Sequence, residues 1–469
     1  MNFEHINNTT SGNIFLVNLS DLDGYLSPLF YKSKPTPIPH ARRLKDIAIV
    51  NPTRPRPKFE PDELVPYVGL PETDEHSHEI IEVVMRPYKE VAGRSVIYPN
   101  DILFARIEPS VFNKKYIEVN DLHGHPFAFT STEFYVVENP SIDAQYLFFM
   151  FLTDYVYNQV KGKTTGSTGR RRLDPDIFAK LLIPVPTSSK IKEVVQIICD
   201  ARKLRVIKLD QAKVHFDSID DYLLSELGYD RVERNHCISN RIFTVPFSKS
   251  TGNRFDPLFF YQNFLDELPN GKYAVEYLGK HVKHMITGFA AGKGNQSFNP
   301  GDPIQIRPTN ISDRREFQFE RNIYIPSSEI ESRKSDLCQS GEVLFNNTNS
   351  QDLVGKSVLF NLKGNYFCSN HMTRIGTKQS LNPSFLNHIL NLYQRQQVFY
   401  KLCTNWNNQS GVNVQVLNQL PIPLPAPDVQ ANIAKKIDHR RFEAQRLEQE
   451  ANAILEKARQ QVEEMILKP

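Results

Sequence analysis

The sequence has few of the features that mark secreted, membrane or metal-binding proteins. Its 469 residues include only five cysteines, none in a CxxC pair: Cys199, Cys237, Cys338, Cys368 and Cys403. This pattern argues against a zinc site and indicates free thiols in a reducing compartment. No window approaches the roughly 18 consecutive apolar residues of a membrane helix. The N-terminal residues also lack the basic start and apolar run of a signal peptide. We therefore expect a cytoplasmic protein with no membrane segment.

An excess of charge of one sign is also lacking. The chain has 56 basic and 53 acidic residues, which gives a formal net charge of +3. Bulk basicity therefore does not indicate a nucleic-acid-binding protein. If the chain contacts a nucleic acid, the contact has to come from a local cluster of basic residues.

Sequence patterns that carry catalysis are missing as well. There is no GxGxxG, HExxH or GxSxG motif, and Tyr157 stands where a phosphate-binding loop ending in Gly162-Lys163-Thr164 needs its first glycine. The Asp/Asn-Pro-Pro-aromatic tetrapeptide with which amino-methyltransferases hold an extruded base is absent too. We expect a chain that is not an enzyme and holds no cofactor and no metal. An enzyme with an unrecognised site is the alternative.

What the sequence does contain is self-similarity, which has to be tested before any other fold argument. Asp23 and Asp256 are 233 residues apart, Asp101 and Glu342 are 241 apart, and Pro184 and Pro423 are 239 apart. Three pairs of similar segments surround these residues in the same order: Leu22–Phe30 with Phe255–Phe259, Asp101–Arg106 with Glu342–Asn347, and Leu182–Pro186 with Pro421–Pro425. The shared offset predicts two repeats of about 235 residues.

Each half of the chain shows the same internal order. Short runs of alternating apolar residues, such as Ser95–Ile97, Glu133–Val137 and Ser357–Phe360, predict strands. A helical run follows, at Ala144–Gln159 in the first half and at Pro383–Leu402 in the second. A polar loop and an Ile-Pro-x-Pro segment then close each half, because the prolines are excluded from central strands and helix interiors.

After each Ile-Pro-x-Pro segment, the apolar residues follow one face of a helix. The two stripes are Ile191, Val194, Ile198, Ala201 and Leu204 in the first half, and Ile437, Ala444, Leu447, Ala451, Ile454 and Ala458 in the second. A helix of roughly 40 residues is about 60 Å long and cannot bury its stripe alone. We therefore expect the two helices to pair as an antiparallel coiled coil, with Gly228 ending the first. A seam with another copy or a partner protein is the alternative, and it can coexist with internal pairing.

Together these patterns predict an α+β fold of two tandem repeats. Each repeat consists of a globular mixed α/β domain followed by a long helix. The expected limits are 1–186 for the first domain, 187–232 for the first helix, 233–425 for the second domain and 426–469 for the second helix.

The polar loop before the first Ile-Pro-x-Pro segment has the composition of a nucleic-acid contact. Residues 161–172 read KGKTTGSTGRRR, with five cations, three glycines and four hydroxyls. Glycines let backbone N–H groups approach phosphates closely, and arginines pair with phosphates or guanine edges. The candidate contacts in this loop are Lys161, Lys163, Thr164, Thr165, Ser167, Arg170, Arg171 and Arg172. A basic surface loop without a ligand is the alternative.

The equivalent loop in the second half has different chemistry. Residues 404–411 read TNWNNQSG, without a cation but with amides that suit adenine edges and with the only tryptophan of the chain. The candidate contacts are Asn405, Asn407, Asn408 and Ser410, while Trp406 fits either a contact or core packing. Lys293, in a glycine-containing loop at 288–295, is a further candidate. Different side chains in two equivalent loops are expected if each loop recognises a different nucleic-acid sequence.

This combination resembles the specificity subunit of type I restriction–modification systems. The resemblance covers essentially the whole chain and rests on the two globular segments, each with its polar loop, Ile-Pro-x-Pro exit and long helix. The strand that reads acid-Ile/Val-Leu-Phe is also similar to the family's. After Ile-Pro-x-Pro the family commonly continues toward a Glu-Gln pair; the second half keeps the glutamine as Gln430, whereas Pro186–Ile191 keeps little of the pattern.

The resemblance implies what the chain does. In that family each globular segment is a target recognition domain that reads one part of a bipartite DNA site. The positions just after the shared strand, Arg106 in the first half and Asn346 with Asn347 in the second, therefore join the candidate DNA contacts.

The resemblance also implies partners. In the family the paired helices space the two domains and dock two methyltransferase subunits, which bind S-adenosylmethionine and methylate adenine N6. An ATP-driven motor nuclease can join them. This chain would then bind double-stranded DNA while S-adenosylmethionine and ATP stay on the partner subunits. A two-domain scaffold that assembles through its helices without touching DNA is the alternative from another class.

Overall fold

The computed structural model describes residues 38, 40–55, 58–75, 77–138, 140–167, 169–230, 242–247, 257–260, 263–406 and 409–467. The chain divides into two compact units. The first unit comprises residues 1–207 and 450–469, and the second comprises residues 208–449. In the part of the chain that is described, no helix is both long enough and apolar enough to cross a membrane.

The first unit consists mainly of short strands. In chain order they are β1 (Ala41–Arg43), β2 (Ile49–Val50), β3 (Leu64–Val68), β4 (Val84–Pro87), β5 (Ser95–Ile97), β6 (Ile102–Ala105), β7 (Tyr116–Glu118), β8 (Ala128–Thr130), β9 (Phe134–Glu138), β10 (Thr164–Thr165), β11 (Arg172–Leu173) and β12 (Leu182–Pro184). Its helices are α1 (Tyr88–Val91), α2 (Ala144–Leu152), α3 (Asp154–Val160) and α4 (Pro175–Ala179). The long helix α5 (Ser188–Leu227) begins in this unit and ends in the second.

The second unit has a similar succession of elements. Its helices are α6 (Pro257–Phe260), α7 (Glu329–Ser332), α8 (Pro383–Arg395), α9 (Val398–Leu402) and α10 (Val414–Asn418). Its strands are β13 (Val275–Tyr277), β14 (Val282–Thr287), β15 (Ile304–Ile306), β16 (Glu342–Asn346), β17 (Thr348–Asn349), β18 (Ser357–Phe360), β19 (Tyr366–Cys368), β20 (Met372–Thr377), β21 (Thr404–Trp406), β22 (Gln409–Gly411) and β23 (Pro421–Pro423). The long helix α11 (Pro427–Leu467) begins here and ends in the first unit.

Each unit contains a four-stranded antiparallel sheet with the same strand order. The order is β2-β9-β6-β7 in the first unit and β14-β20-β16-β18 in the second. The inner strands β6 and β16 come from the two acid-Ile/Val-Leu-Phe segments, and all of their residues are buried. A short, continuously apolar run is typical of such a fully buried strand. The strands predicted at Ser95–Ile97, Glu133–Val137 and Ser357–Phe360 are confirmed within one residue.

The two Ile-Pro-x-Pro segments form the last strand of each unit. β12 pairs antiparallel with β1, and β23 pairs antiparallel with β13, each in a two-stranded sheet. Proline donates no backbone hydrogen bond, so it is tolerated in such short edge pairs and not in the middle of a sheet. This placement agrees with the exclusion drawn from the sequence.

The acid that precedes the shared inner strand closes a turn. Asp101 and Glu342 each accept a hydrogen bond of 2.8 Å from the backbone N–H three residues earlier. The residues just before them, Asn100 and Gly341, have φ angles of 75° and 87°. Glycine and asparagine are the residues that tolerate this left-handed conformation best. The same turn therefore leads into both strands, 241 residues apart.

Both of these acids also pair with an arginine that the sequence analysis did not identify. Arg54 donates to the two carboxylate oxygens of Asp101 at 2.6 and 2.7 Å, and Arg374 donates to those of Glu342 at 2.8 and 2.9 Å. The side chains of Arg374 and Glu342 are each 4% exposed. Charges this far from water are stable only when they are paired and hydrogen-bonded. The acid in the repeated motif is therefore structural.

Each of the two predicted helical runs is broken into two helices. In the first unit Thr153 separates α2 from α3, and its hydroxyl accepts from the N–H of Val156 to cap α3. In the second unit the break between α8 and α9 lies at Gln397, whose φ is 58°. The prediction of continuous helices over 144–159 and 383–402 is therefore wrong at these positions. Apolar periodicity runs through such a break and does not reveal it.

The two long helices begin and end near the positions that their apolar stripes indicate. α5 ends at Leu227, and Gly228 follows it with a φ of 80°, as expected for a glycine that ends a helix. Within each unit, residues of both long helices belong to one apolar core. In the first unit these include Ile191, Val194 and Ile198 of α5 with Val462 of α11; in the second they include Ile219 and Leu223 of α5 with Ile433 and Ile437 of α11.

Leu204 does not belong to the buried face of α5. Ile191, Val194, Ile198 and Ala201 are buried, but 45% of Leu204 is exposed. After Ala201 the face continues four residues on, at Arg205, whose Nε atom is buried. In a seven-residue repeat the next buried position can lie three or four residues after Ala201. The sequence alone therefore does not show whether Leu204 or Arg205 continues the buried face. Ala444, Leu447, Ala451 and Ala458 of α11 are buried and Ile454 is half-buried.

Gln430 anchors the start of α11. Its side chain is fully buried: Oε1 accepts from the N–H of Asn382 at 2.8 Å, and Nε2 donates to the carbonyls of Ser380 at 3.0 Å and Pro425 at 2.8 Å. The residue at the same place in the first half is Ile191, which is buried without needing such partners. The glutamine of the motif therefore has a structural role, because its hydrogen bonds hold the start of α11 to the preceding segments.

Replacing Gln430 with alanine should destabilise the second unit. The change leaves three backbone groups, which are partly or fully buried, without their partner and opens a small cavity, for an expected loss of about 3 kcal/mol. Urea unfolding followed by the fluorescence of Trp406, which lies in this unit, measures the loss. Asn432→Ala removes an exposed amide from the same helix and should change stability by less than about 0.5 kcal/mol. Equal stability of the two variants would contradict the anchoring role.

Candidate nucleic-acid interface

The two candidate loops form β-hairpins at equivalent positions of the two units. Strands β10 and β11 make the first hairpin, and β21 and β22 make the second. The N–H of Leu173 donates to the carbonyl of Arg106 at 2.7 Å, and the N–H of Val412 donates to that of Asn347 at 2.9 Å. In each unit the structure thus brings the loop beside the end of the shared inner strand, although the two are more than 60 residues apart in sequence.

Two of the three consecutive arginines hold the first hairpin together. The guanidinium of Arg172 donates to both carboxylate oxygens of Glu133, at 2.5 and 2.8 Å, and these hydrogen bonds hold the pKa of Glu133 below its usual value. Arg171 donates to the carbonyl of Thr164 at 3.0 Å and lies 3.7 Å from Glu108. Arg170 is exposed. The three arginines are therefore not an equivalent set, because Arg171 and Arg172 have structural partners.

The remaining residues of the first loop divide in the same way. Lys161, Thr165 and Ser167 are exposed, and Lys163 is half-buried. Thr164 is 3% exposed and its hydroxyl donates to Glu108, which corrects the expectation that it is open to DNA. Glu108 and Glu133 lie outside the loop in sequence, so counting charges within the loop missed them.

Arg106 lies beside this hairpin but is only partly accessible. Its guanidinium carbon is 4.7 Å from the centre of the Tyr135 ring. Its Nε atom is buried and has no hydrogen-bond partner among the described residues. The next residue, Ile107, forms an antiparallel β-bridge with Arg172, so Arg106 lies next to the hairpin in space.

The second hairpin exposes an amide and an aromatic ring. Asn405 and Trp406 are exposed, the latter by 47%. A Cβ atom on Gly411 would lie 2.2 Å from the Trp406 ring, so the ring packs directly on this glycine and is not part of the core. Ser410 is 4% exposed and donates to Oδ1 of Asn405 at 2.6 Å, so it supports Asn405 and is not itself open. Asn407 and Asn408 lie outside the described residues.

The two asparagines after strand β16 are buried. Asn346 is fully buried and its Nδ2 donates to the carbonyl of Leu353 at 3.3 Å. Asn347 is 7% exposed and its Nδ2 donates to Thr373 Oγ1 at 2.9 Å. This corrects the expectation that their side chains are open to DNA: at the end of an inner strand both brace the neighbouring backbone. The amide nitrogen of each has a hydrogen-bond acceptor, whereas Oδ1 of Asn346 is buried with no partner among the described residues.

Lys293 is exposed, in a short 3₁₀ turn over Lys293–Asn295. The loop that contains it starts beside Ser369, since Phe289 and Ser369 form a parallel β-bridge. The predicted contact at Lys293 is therefore accessible.

A cleft of about 810 Å³ lies next to the second hairpin and was not foreseen from the sequence. It is lined by side chains from the segments 307–321, 348–356 and 369–371 and by Gln409 of the hairpin. No motif marks these segments, which come from different parts of the second unit.

No metal-binding cluster of three or more His, Cys, Asp or Glu side chains is present among the described residues. Cys199, Cys338, Cys368 and Cys403 are free thiols, and the sulfur atoms of Cys338 and Cys368 are 3.4 Å apart. Cys237 lies outside the described residues.

The structure is a mixed α/β protein with two units. Each unit contains its own four-stranded sheet of the same strand order and its own hairpin at the equivalent position. Residues 322–457 match the family model of the type I restriction modification DNA specificity domain. The chain therefore carries a specificity domain of the type I restriction–modification family.

Similar proteins come from the same systems. A putative type I restriction enzyme MjaX specificity subunit of Methanocaldococcus jannaschii is 29% identical over 97 residues, which cover 20% of this chain and 23% of that relative. The match thus spans less than a quarter of the relative's length.

Two solved structures are similar over most of the chain. One is a chain from work on complex assembly and conformational transition of the type I R-M system, with 16% identity, a TM-score of 0.51 and coverage of 93% of this chain and 98% of its own. The HsdS subunit from Thermoanaerobacter tengcongensis has 16% identity and a TM-score of 0.37, with coverage of 92% and 97%. At this identity the first likeness establishes the mixed α/β fold alone, and the second is too low in TM-score to add to it.

Proposed function

We propose that this chain is a non-catalytic specificity subunit that reads a bipartite DNA site with recognition domains at 1–186 and 233–425. The observation that carries the proposal is that both units place a hairpin beside the end of the equivalent inner strand, but with different exposed side chains. The first exposes the cations Lys161 and Arg170, and the second exposes Asn405 and Trp406. Base pairs differ in the hydrogen-bond pattern of their edges, so a common frame with different exposed groups suits two different half-sites.

The exposed groups match the two kinds of DNA contact. Lysine and arginine pair with phosphates, and arginine also reads guanine edges, whereas an amide suits adenine. Trp406 offers an apolar face beside the amide. The near-neutral total charge of the chain is compatible with this function when partner subunits supply further phosphate contacts, so we expect the chain alone to bind DNA weakly.

The long helices would act as the spacer between the recognition domains. The start of α5 shares a core with the end of α11, and the end of α5 shares one with the start of α11, which is the order of an antiparallel pair. Helices of about 40 residues are roughly 60 Å long, and one turn of DNA is about 34–36 Å. A coiled coil over residues 187–232 and 426–469 can therefore keep the two half-sites at a fixed separation of about one turn or more.

Exposed apolar side chains on α5 suit a partner protein. In the first unit Leu204 and Ile207, one helical turn apart, are 45% and 52% exposed. Neighbouring large apolar side chains that are exposed to solvent are typical of a surface that binds another protein. We assign this surface to a methyltransferase subunit, two of which would bind S-adenosylmethionine and modify adenine N6. A motor nuclease that uses ATP can join the complex, which would act on double-stranded DNA in the cytoplasm.

The test is to map DNA methylation in cells with and without this chain. With the chain present, we expect N6-methyladenine at one bipartite motif, two short specified sequences separated by a spacer of fixed length. Deleting the chain should remove that motif and no other. Unchanged methylation after deletion would contradict the specificity role and favour a scaffold that assembles through its helices.

A further inference from the structure

The cleft beside the second hairpin contains two buried donors that lack acceptors. Ser369 is 3% exposed and Arg307 is half-buried; the Ser369 Oγ and the Arg307 Nε atoms are both buried, with no hydrogen-bond partner among the described residues. Both residues line the cleft. A buried polar group without a partner is unfavourable for the folded protein. Since an arginine Nε–H can only donate, the missing partner has to be a hydrogen-bond acceptor.

The arginine is held in place by its own loop. Arg307 Nη2 donates to the carbonyl of Arg321 at 2.9 Å. This hydrogen bond fixes the guanidinium without neutralising its charge, because the acceptor is a neutral carbonyl. The guanidinium of Arg307 is therefore already ordered without a ligand, which lowers the side-chain conformational entropy that is lost on binding.

The charge of the cleft favours an anion. Its lining includes the cations Arg307, Arg321 and Lys356 and the acids Asp313 and Glu320. Lys356 forms an ion pair with Asp313, so these two charges offset each other. The two arginines then outnumber the single remaining acid, Glu320. His371 also lines the cleft, and its ring can donate a hydrogen bond.

The same place in the first unit is built differently. The N–H of Ser369 donates to the carbonyl of Ile306 at 2.9 Å, and the N–H of Ser131 donates to that of Val68 at 3.3 Å, so the two serines are equivalent. The residue after Val68 is Gly69, where the second unit has Arg307. Arg307 thus gives the second unit a cation next to its hairpin, whose residues 404–411 include no lysine or arginine.

We propose that this cleft seats a phosphate of the DNA backbone next to the second half-site, with Arg307 Nε–H and Ser369 Oγ–H as donors. The inference rests on the proposed DNA-reading function and names a positioning contact for it. The sugar–phosphate backbone is a ridge that fits a concave surface, whereas base edges lie inside a groove and are reached by protruding groups. The hairpin with Asn405 and Trp406 protrudes, and the cleft beside it receives the backbone.

The test compares DNA affinity of the assembled complex carrying Arg307→Ala with that of the wild type. The probes are a duplex that contains the methylated motif and a random duplex of the same length. At about 0.15 M salt, one lost phosphate contact should weaken binding of both probes by the same factor, about fivefold. The slope of log affinity against log salt concentration should fall by about 1. The methylated motif should stay unchanged.

Three further variants sharpen the result. Arg307→Lys keeps the charge and should retain the salt slope while losing about threefold in affinity, because the Nε–H donor is gone. Ser369→Ala should cost about two- to threefold with no change in slope. Arg446→Ala removes the same charge from α11 in the same unit, where Arg446 pairs with Glu443, and should leave DNA affinity unchanged.

Two outcomes would overturn the proposal. A changed methylation motif, or unequal losses on the two probes, would show that Arg307 reads a base. An unchanged salt slope in Arg307→Ala with normal thermal stability would show that no phosphate is held there. Failure of the proposed function itself looks different, since the wild-type complex would then bind both probes alike.

Discussion

The double substitution Lys161→Glu with Arg170→Glu is expected to lower the affinity of the assembled complex for its target DNA by about 100-fold. By counterion release, each phosphate contact is worth about fivefold at 0.15 M salt, and reversing both charges adds repulsion. Both side chains are exposed, so the fold of the first unit should not change. Electrophoretic mobility shift at several salt concentrations measures the loss, and site-specific methylation should disappear with it.

A matched control separates the hairpin from bulk charge. Arg43→Glu with Lys45→Glu makes the same change of four charge units at exposed positions on and just after β1, outside the hairpin. This control should keep at least about half of the wild-type affinity, since exposed charges farther than a Debye length of about 8 Å from the DNA are largely screened. Association with the proposed methyltransferase subunits should persist in both variants. A similar loss in both would attribute DNA binding to net charge and contradict the assignment of the hairpin.

The second large effect is expected from Arg374→Ala, which should destabilise the second unit by about 3–5 kcal/mol. Removing the arginine leaves Glu342 as an unpaired charge in a site where its side chain is only 4% exposed. His284 remains within 2.8 Å of the carboxylate but is more exposed and cannot replace a bidentate partner. Urea unfolding followed by Trp406 fluorescence measures the loss, since the only tryptophan of the chain lies in this unit.

Two controls test the cause of this loss. Adding Glu342→Gln to Arg374→Ala removes the buried charge but keeps an acceptor for the turn, so about half of the stability should return. Arg333→Ala breaks an exposed ion pair with Glu329 and should cost less than about 1 kcal/mol. If the double variant were no more stable than Arg374→Ala, the loss would reflect packing and not the unpaired charge.

The pH dependence of the wild type should follow from the same pair. Burial by itself would raise the pKa of Glu342, but hydrogen bonds from Arg374, from the Gln339 backbone and from His284 outweigh it and lower this pKa from the ordinary 4.5. A carboxylate with a lowered folded-state pKa contributes stability above pH 4.5 that is lost as the pH falls through the folded-state value. In Arg374→Ala the burial of Glu342 is no longer offset by the arginine, which raises this pKa, so the difference in stability between the wild type and the variant should begin to shrink above pH 4.5 and should shrink further as the pH falls through the wild-type value.

The sequence predicted the elements that depend on local pattern. The buried inner strands, the Ile-Pro-x-Pro strands and the two long helices were recognisable because apolar spacing and proline position indicate which residues a strand or helix can bury. The match of Leu22–Phe30 with Phe255–Phe259 lies mostly outside the described residues. The breaks at Thr153 and Gln397 were missed, since a single cap or left-handed residue interrupts a helix without changing the spacing around it. Leu204 was assigned to the buried face for the same reason.

The candidate site was predicted less well at the level of side chains. The sequence identified the two loops and the ends of the shared strands separately, and only the structure brings them together; Lys161, Arg170 and Asn405 are accessible there. Thr164, Ser410, Asn346 and Asn347 turned out to be buried supports, and Arg171 and Arg172 are paired with acids. The partners that bury or neutralise these groups come from segments far away in the chain.

The repeat, the order of elements and the two different loop chemistries can therefore be read from local patterns in the sequence. Which polar groups are accessible to a ligand depends on the folded protein. The reason is that exposure and pairing depend on contacts between distant segments: Glu133 pairs with Arg172, and Arg307 and Ser369 line one cleft although 62 positions separate them. Charge counted along the chain cannot show either.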